Sequence, residues 1–248
     1  MKKRKLLKFI PLVIVLLLVS YSAFWVSSYS RPTEEAVAVF NSNSGSNINV
    51  AKDKFITFTP KYKEATTGFI FYPGGKVAPE AYAPLCSKIA ANGFMVVIVP
   101  MPLNLAVLSG NKGNEVIKDY PEIKNWVIGG HSLGGVMAAS FAHSHLDLVK
   151  GLVMYAAYPQ NKDDLSSSNL KVLSLWGSED GCADINKVTG AKDILPKDSE
   201  FKAIDGGNHA QFGNYGNQKG DNAAKISVLE QQNLAIEYTV DLLGEVSK

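Results

Sequence analysis

The sequence predicts an α/β fold: a mostly parallel, doubly wound sheet flanked by helices and preceded by one N-terminal transmembrane helix. Three observations predict it. From Gly68 onward, short apolar runs rich in β-formers alternate with longer segments of helical period. Those runs lack polar alternation, so their strands are buried on both faces, as in a parallel sheet covered by helices. Before them stands a basic cluster followed by an unbroken apolar run.

The opening, "KKRKLLKFIPLVIVLLLVSYSAFWV", holds roughly 18 nearly uncharged residues in a row, enough to cross about 30 Å of hydrocarbon. Residues 1–8 read as a cytoplasmic basic segment and 9–28 as a signal-anchor. Tyr21, Phe24, Trp25 and Tyr29 gather at the distal end, where amphipathic rings favour the headgroup region. Lysines held inside put the remaining chain on the extracytoplasmic side of the cell membrane. The alternative is a cleaved signal peptide and a secreted product, with Ser20 and Ser22 as small residues near a cut. The length of the apolar run, beyond the usual signal core of about 7–15 residues, favours the anchor. Residues 29–35 form a polar linker, and residues 36–248 the globular domain. Val37–Phe40 and Phe55–Thr59 read as short β-type runs on either side of the turn-rich "NSNSGSN".

The strands and helices follow in order. Strands are expected at 68–72, 94–99, 125–130, 151–157, 171–176 and 199–204. Helices are expected at 79–92, 132–145, 185–194 and 222–243. Strand–helix alternation gives right-handed crossovers, which stack the helices on both faces of one sheet.

Charge narrows the partners. The formal charge is +2, from 25 basic and 23 acidic residues. Lys2, Lys3, Arg4, Lys5 and Lys8 account for the excess; without them 20 basic residues face 23 acidic ones, a net of −3. No basic stripe remains for nucleic acid. Cys86 and Cys182 have no neighbours at zinc-type spacing. They read as free thiols, a single disulfide being the alternative.

The chemistry centres on "GGHSLGG", residues 129–135. G-x-S-x-G alone is weak, and Ser132 could simply cap a helix. Its context is stronger, because it follows a predicted strand and opens a predicted helix. A serine in that tight turn projects its oxygen above the sheet, and Gly130 and Gly134 allow neighbouring backbone to come close. The Leu133 N–H then stands at a helix N-terminus, placed to receive an oxyanion. Serine needs a base. His131 adjoins it in the turn and reads as a packed neighbour; His143 and His145 close the same helix. His209, in "IDGGNHAQFGNYG", follows the last strand and reaches the edge that carries Ser132. A carboxylate must orient the imidazole. Asp180, in "LWGSEDGCAD", is selected over Glu179, Asp184 and Asp205, with the chain order Ser, Asp, His as the deciding argument.

With "FYPGGKV", "GGHSLGG", "WGSEDG" and "GGNHAQFG" in order, each after a strand, residues 66–243 resemble the α/β-hydrolase superfamily, as a small, lidless, membrane-anchored member. The resemblance implies a Ser132, Asp180, His209 triad and a second oxyanion donor in "YPGG". Pro73 stands where the family usually has His, which leaves Gly75 and Lys76 both as candidates. The expected activity is hydrolysis of a small carboxylic ester through an acyl-enzyme, with no metal or organic cofactor. Acyl transfer, thioester cleavage and peptide cleavage could use the same triad, and a non-catalytic surface-binding module could keep the same scaffold. Phe212 and Tyr215 are candidates for the substrate pocket.

Overall fold

A computed structural model describes residues 2–41 and 47–248; the side chains of residues 1–12, 23 and 26 are outside what is described. The basic cluster, the start of the predicted anchor and most of "NSNSGSN" therefore fall wholly or partly outside it.

Helix α1 (Lys2–Ser27) leads into the body. From Val13 to Val19 its apolar side chains are all more than half exposed, Leu17 the most at 65%. Among the described residues, no helix is long and apolar enough to cross a membrane. The segment expected as β-type at Val37–Phe40 is instead helix α2 (Glu34–Asn41). Glu34 and Glu35 favour its positive N-terminus, the Thr33 hydroxyl accepts from Ala36 N–H, and Ala36 is buried. β-propensity gave way to end effects and packing.

Strands β1 (Ile48–Lys52) and β2 (Ile56–Pro60) pair antiparallel. Strand β3 (Thr67–Tyr72) leads through a short 3-10 turn and α3 (Ala83–Ala91) to β4 (Met95–Ile98). Helix α4 (Gly113–Asp119) precedes β5 (Asn125–His131), which runs into α5 (Leu133–Ser144). Strands β6 (Gly151–Tyr155) and β7 (Lys171–Gly177) follow, then α6 (Ile185–Gly190), β8 (Glu200–Ile204) and α7 (Val228–Val246). The last helix starts several residues later than residue 222. Ser227 and Glu230 form a capping box there, satisfying two backbone donors reciprocally.

The sheet order is β1-β2-β4-β3-β5-β6-β7-β8. Strand β2 meets β4 antiparallel, and every pair from β4 to β8 is parallel. Alternate residues face opposite cores. Phe69 and Phe71 join α3 and α7 on one face; Ile70 and Tyr72 join α4 and α5 on the other. The chain leaves β3 towards β4 and returns to place β5 on the opposite side. The carboxyl ends of β3 and β5 thus flank the point where strand order reverses, the usual place for a ligand in an open α/β sheet.

Candidate active site

Ser132 stands between β5 and α5 at φ 51°, ψ −124°, a conformation that L-residues rarely adopt. Three contacts hold it there. Its N–H donates to Tyr155 O at 2.9 Å, and its carbonyl accepts from Val136 N–H. A Cβ on Gly134 would come within 2.1 Å of Tyr72 O, so only glycine lets the elbow close against β3. The Ser132 side chain makes no capping hydrogen bond to α5. The alternative reading, a serine that merely starts a helix, therefore finds no support in the geometry.

His209 arrives on the loop after β8. Its Nδ1 is 2.9 Å from Asp180 Oδ2, and both side chains are buried. The other Asp180 oxygen accepts from Cys182 and Ala183 N–H at 2.8 and 2.7 Å. These two donors fix the orientation of the carboxylate. The competing carboxylates are engaged elsewhere: Asp184 caps α6, Glu179 pairs with Lys225, and Asp205 accepts from Ser178. The His209 ring lies 4.5 Å, centre to centre, from that of His131, the residue before Ser132. That contact brings the imidazole of the last loop to the elbow.

His131 is buried, and its Nδ1 is 2.9 Å from Tyr82 Oη, which in turn accepts from Gly74 N–H at 3.0 Å. With that donation received, the Tyr82 hydroxyl can donate to Nδ1, an arrangement that suits the imidazole tautomer protonated on Nε2. Nε2 is buried and makes no well-formed hydrogen bond among the described residues. Burial, then the proximity of His209, holds the His131 pKa well below the usual histidine value, while a contact to the His209 backbone works weakly the other way. Burial raises the Tyr82 pKa, so its hydroxyl stays protonated.

The turn after β3 carries Gly74, Gly75 and Lys76. Gly74 N–H goes to Tyr82, and Lys76 N–H donates to Asn104 O at 2.7 Å. Gly75 N–H and Leu133 N–H have no acceptor among the described residues. The two residues adjoin: a Cβ built on Gly75 would be 3.0 Å from Leu133 Cδ2. Lys76, at φ 58°, points its ammonium away towards Trp25 O and Ser28 Oγ, at 2.6 and 2.7 Å.

Phe212 is fully buried and stacks on Tyr155 at 5.2 Å, beneath the site. Tyr215 is buried against Tyr82 and His131 and donates to Gln218. Both rings are buried and pack against His131. Cys86 is a buried free thiol and Cys182 an exposed one. No group of three or more metal-ligating side chains occurs among the described residues.

Sequence reasoning missed two groups that build the His209 loop. Asp221 accepts from Gly181, His209 and Ala210 N–H, tying the loops of β7 and β8 together. Gln231, buried on α7, accepts from Asn208 N–H and donates to Asn208 O. A glutamine on the apolar face of α7 was the available signal for the second; nothing local marks the first.

A mostly parallel sheet with a strained serine elbow, a buried carboxylate–imidazole pair and two free N–H groups at the strand ends defines an α/β-type hydrolase scaffold. Residues 68–233 match the alpha/beta hydrolase family. The chain belongs to that family. Among solved structures it resembles a predicted CIB-like hydrolase from Thermoplasma acidophilum, at 18% identity and TM-score 0.57, over 80% of this chain and 99% of that one. It also resembles MGS-MChE2, an alpha/beta hydrolase enzyme from the metagenome of lagoon sediments at Mar Chica, Morocco. That match has 17% identity and TM-score 0.56, over 78% of this chain and 98% of the other. No curated protein matches it.

Proposed function

We propose that this hydrolase cleaves a small carboxylic ester through an acyl-enzyme on Ser132. The observation that carries the reading is the buried 2.9 Å Asp180–His209 contact beside a serine held in strained backbone. Ser132 Oγ attacks the acyl carbon as its proton passes to His209 Nε2. Asp180 accepts from Nδ1–H, which fixes the tautomer and stabilises the imidazolium. Leu133 and Gly75 N–H receive the oxyanion; Lys76 N–H, already given to Asn104, does not. The ester oxygen leaves with the His209 proton. Water then gives a proton to His209, attacks the acyl carbon and restores Ser132 as the acid departs.

The N-terminal segment is a signal-anchor in this proposal, with the catalytic domain on the extracytoplasmic side. The support is its basic-then-apolar pattern and its row of exposed apolar side chains. Protease added to intact cells should remove the domain; a domain protected until lysis contradicts the orientation.

The test of the chemistry is hydrolysis of p-nitrophenyl esters of increasing acyl length, with fluorophosphonate labelling in parallel. Ser132→Ala and His209→Ala should each lose about 10⁴-fold or more in kcat. Rates should fall as the acyl chain lengthens, and the label should sit on Ser132. Retained turnover in Ser132→Ala, or a wild-type chain that neither reacts nor labels, refutes the reading.

A further inference from the structure

We propose that the catalytic edge of the sheet rests on the outer surface of the lipid bilayer, so that the ester it cleaves is carried by a membrane-held molecule. This rests on the signal-anchor and esterase readings above. The first observation is how little chain separates α1 from the site. Lys76, in the turn that holds Gly75, donates through Nζ to Trp25 O and Ser28 Oγ and lies 4.2 Å from the centre of the Trp25 ring. Ser30 N–H donates to Lys76 O, and Ala78 N–H donates to Ser30 O, a short parallel bridge between linker and turn. Thr33 N–H then donates to Asn214 O, five residues past His209. The linker is therefore not a free tether. It is stitched across the edge that carries the triad, and it places that edge within one side-chain length of the end of α1. If Trp25 and its aromatic neighbours sit at headgroup level, the mouth of the site sits there too.

The second observation is independent of α1. The segment after β4 reaches the same edge, and Asn104 O in it accepts from Lys76 N–H. It presents Leu103, Val107 and Leu108 to solvent at 48, 57 and 53% exposure. The backbone turns sharply at Leu103 and Asn104, both at positive φ, and Val107 and Leu108 follow in a 3-10 turn. Three large apolar residues on one short segment, beside the end of an apolar helix, match a surface that dips into the acyl boundary. A rigid edge held there receives its carbonyl from a molecule whose other end is in the bilayer. A short acyl group on a membrane-held alcohol satisfies both this placement and the small-ester reading.

The full chain is reconstituted in vesicles of phosphatidylcholine and phosphatidylglycerol, with and without brominated acyl chains. A polarity-sensitive fluorophore is placed by Val107→Cys, or by Tyr62→Cys as a reference, in a Cys182→Ser background. Tyr62 is 85% exposed and lies next to β2, away from the triad. Flotation with the vesicles reads the anchor; the fluorophore reads the edge. The expected result is flotation, with a blue shift and bromine quenching at position 107 and neither at position 62. Flotation with position 107 still in water overturns this inference and leaves the anchor standing. Failure to float overturns both. As a second arm, Val107→Asp with Leu108→Asp should slow cleavage of a short-chain ester displayed on vesicles about tenfold while sparing p-nitrophenyl acetate in solution. Equal effects on the two substrates overturn the inference, and absence of turnover on either by the wild type points to failure of the esterase reading instead.

Discussion

Ser132, the proposed nucleophile, also carries backbone strain. At φ 51° it occupies a region costing an L-residue about 1–3 kcal/mol, and the surrounding hydrogen bonds hold it there. Glycine pays no such steric cost, although it loses more entropy on folding. Ser132→Gly should therefore inactivate the protein and stabilise it by about 1 kcal/mol, a rise of a few degrees in Tm. Thermal unfolding of Ser132→Gly against Ser132→Ala isolates the backbone contribution, since both lack the hydroxyl. A Ser132→Gly variant no more stable than Ser132→Ala would show the elbow to be unstrained.

Two loops rather than two residues bring Asp180 and His209 together. The loop after β7 turns at Gly177, where an added Cβ would come within 2.3 Å of Gly207, so the two loops are in backbone contact. Asp221 then holds three N–H groups from both loops with one carboxylate. Asp221→Ala leaves those donors without their acceptor, a loss of about 1–3 kcal/mol. It should lower kcat more than it raises KM, because it displaces the proposed base, His209, and not a binding wall; Asp221→Asn, which keeps one oxygen, should recover part of the rate. An equal change in both parameters would place Asp221 in binding. The elements themselves show what a sequence reveals. Parallel strands such as β3 and β5 were legible because burial on both faces leaves an unbroken apolar run; Ser132 and Asp180 stood out as candidates because each follows such a strand, whereas His209 follows the half-exposed edge strand β8 and stood out by its loop alone. Strand β1 was not legible, since as an edge it buries only Ile48. Helix α4, seven residues with only Gly113 and Val116 buried, has too short a face to show a period. The choice between Gly75 and Lys76 was invisible for another reason. It turns on Asn104 O, a backbone group in a distant loop.

At the scale of the whole molecule, the site sets how stability answers to acid. His131 is buried among Tyr82, His209, Phe212 and Tyr215, with its pKa held well below the ordinary 6.5 by burial first and by His209 second. In the unfolded chain this imidazole takes a proton as pH falls through 6.5; in the folded chain it does not. The unfolded state therefore binds more protons over the window below 6.5, and stability falls with falling pH there. The stability is fully present above 6.5 and is lost progressively as pH drops towards the folded value, at up to about 1.4 kcal/mol per pH unit for one proton. His131→Asn removes the titrating group and keeps an acceptor for Tyr82. It should be less stable than the wild type at pH 8, since a packed ring is lost, yet its denaturation midpoint should depend on pH less steeply below 6.5, by about one proton. The two curves converge on acidification. Denaturant unfolding across a pH series measures this directly, and parallel curves would mean that His131 is protonated in the native protein, beside an imidazole that must itself take up a proton in the proposed reaction.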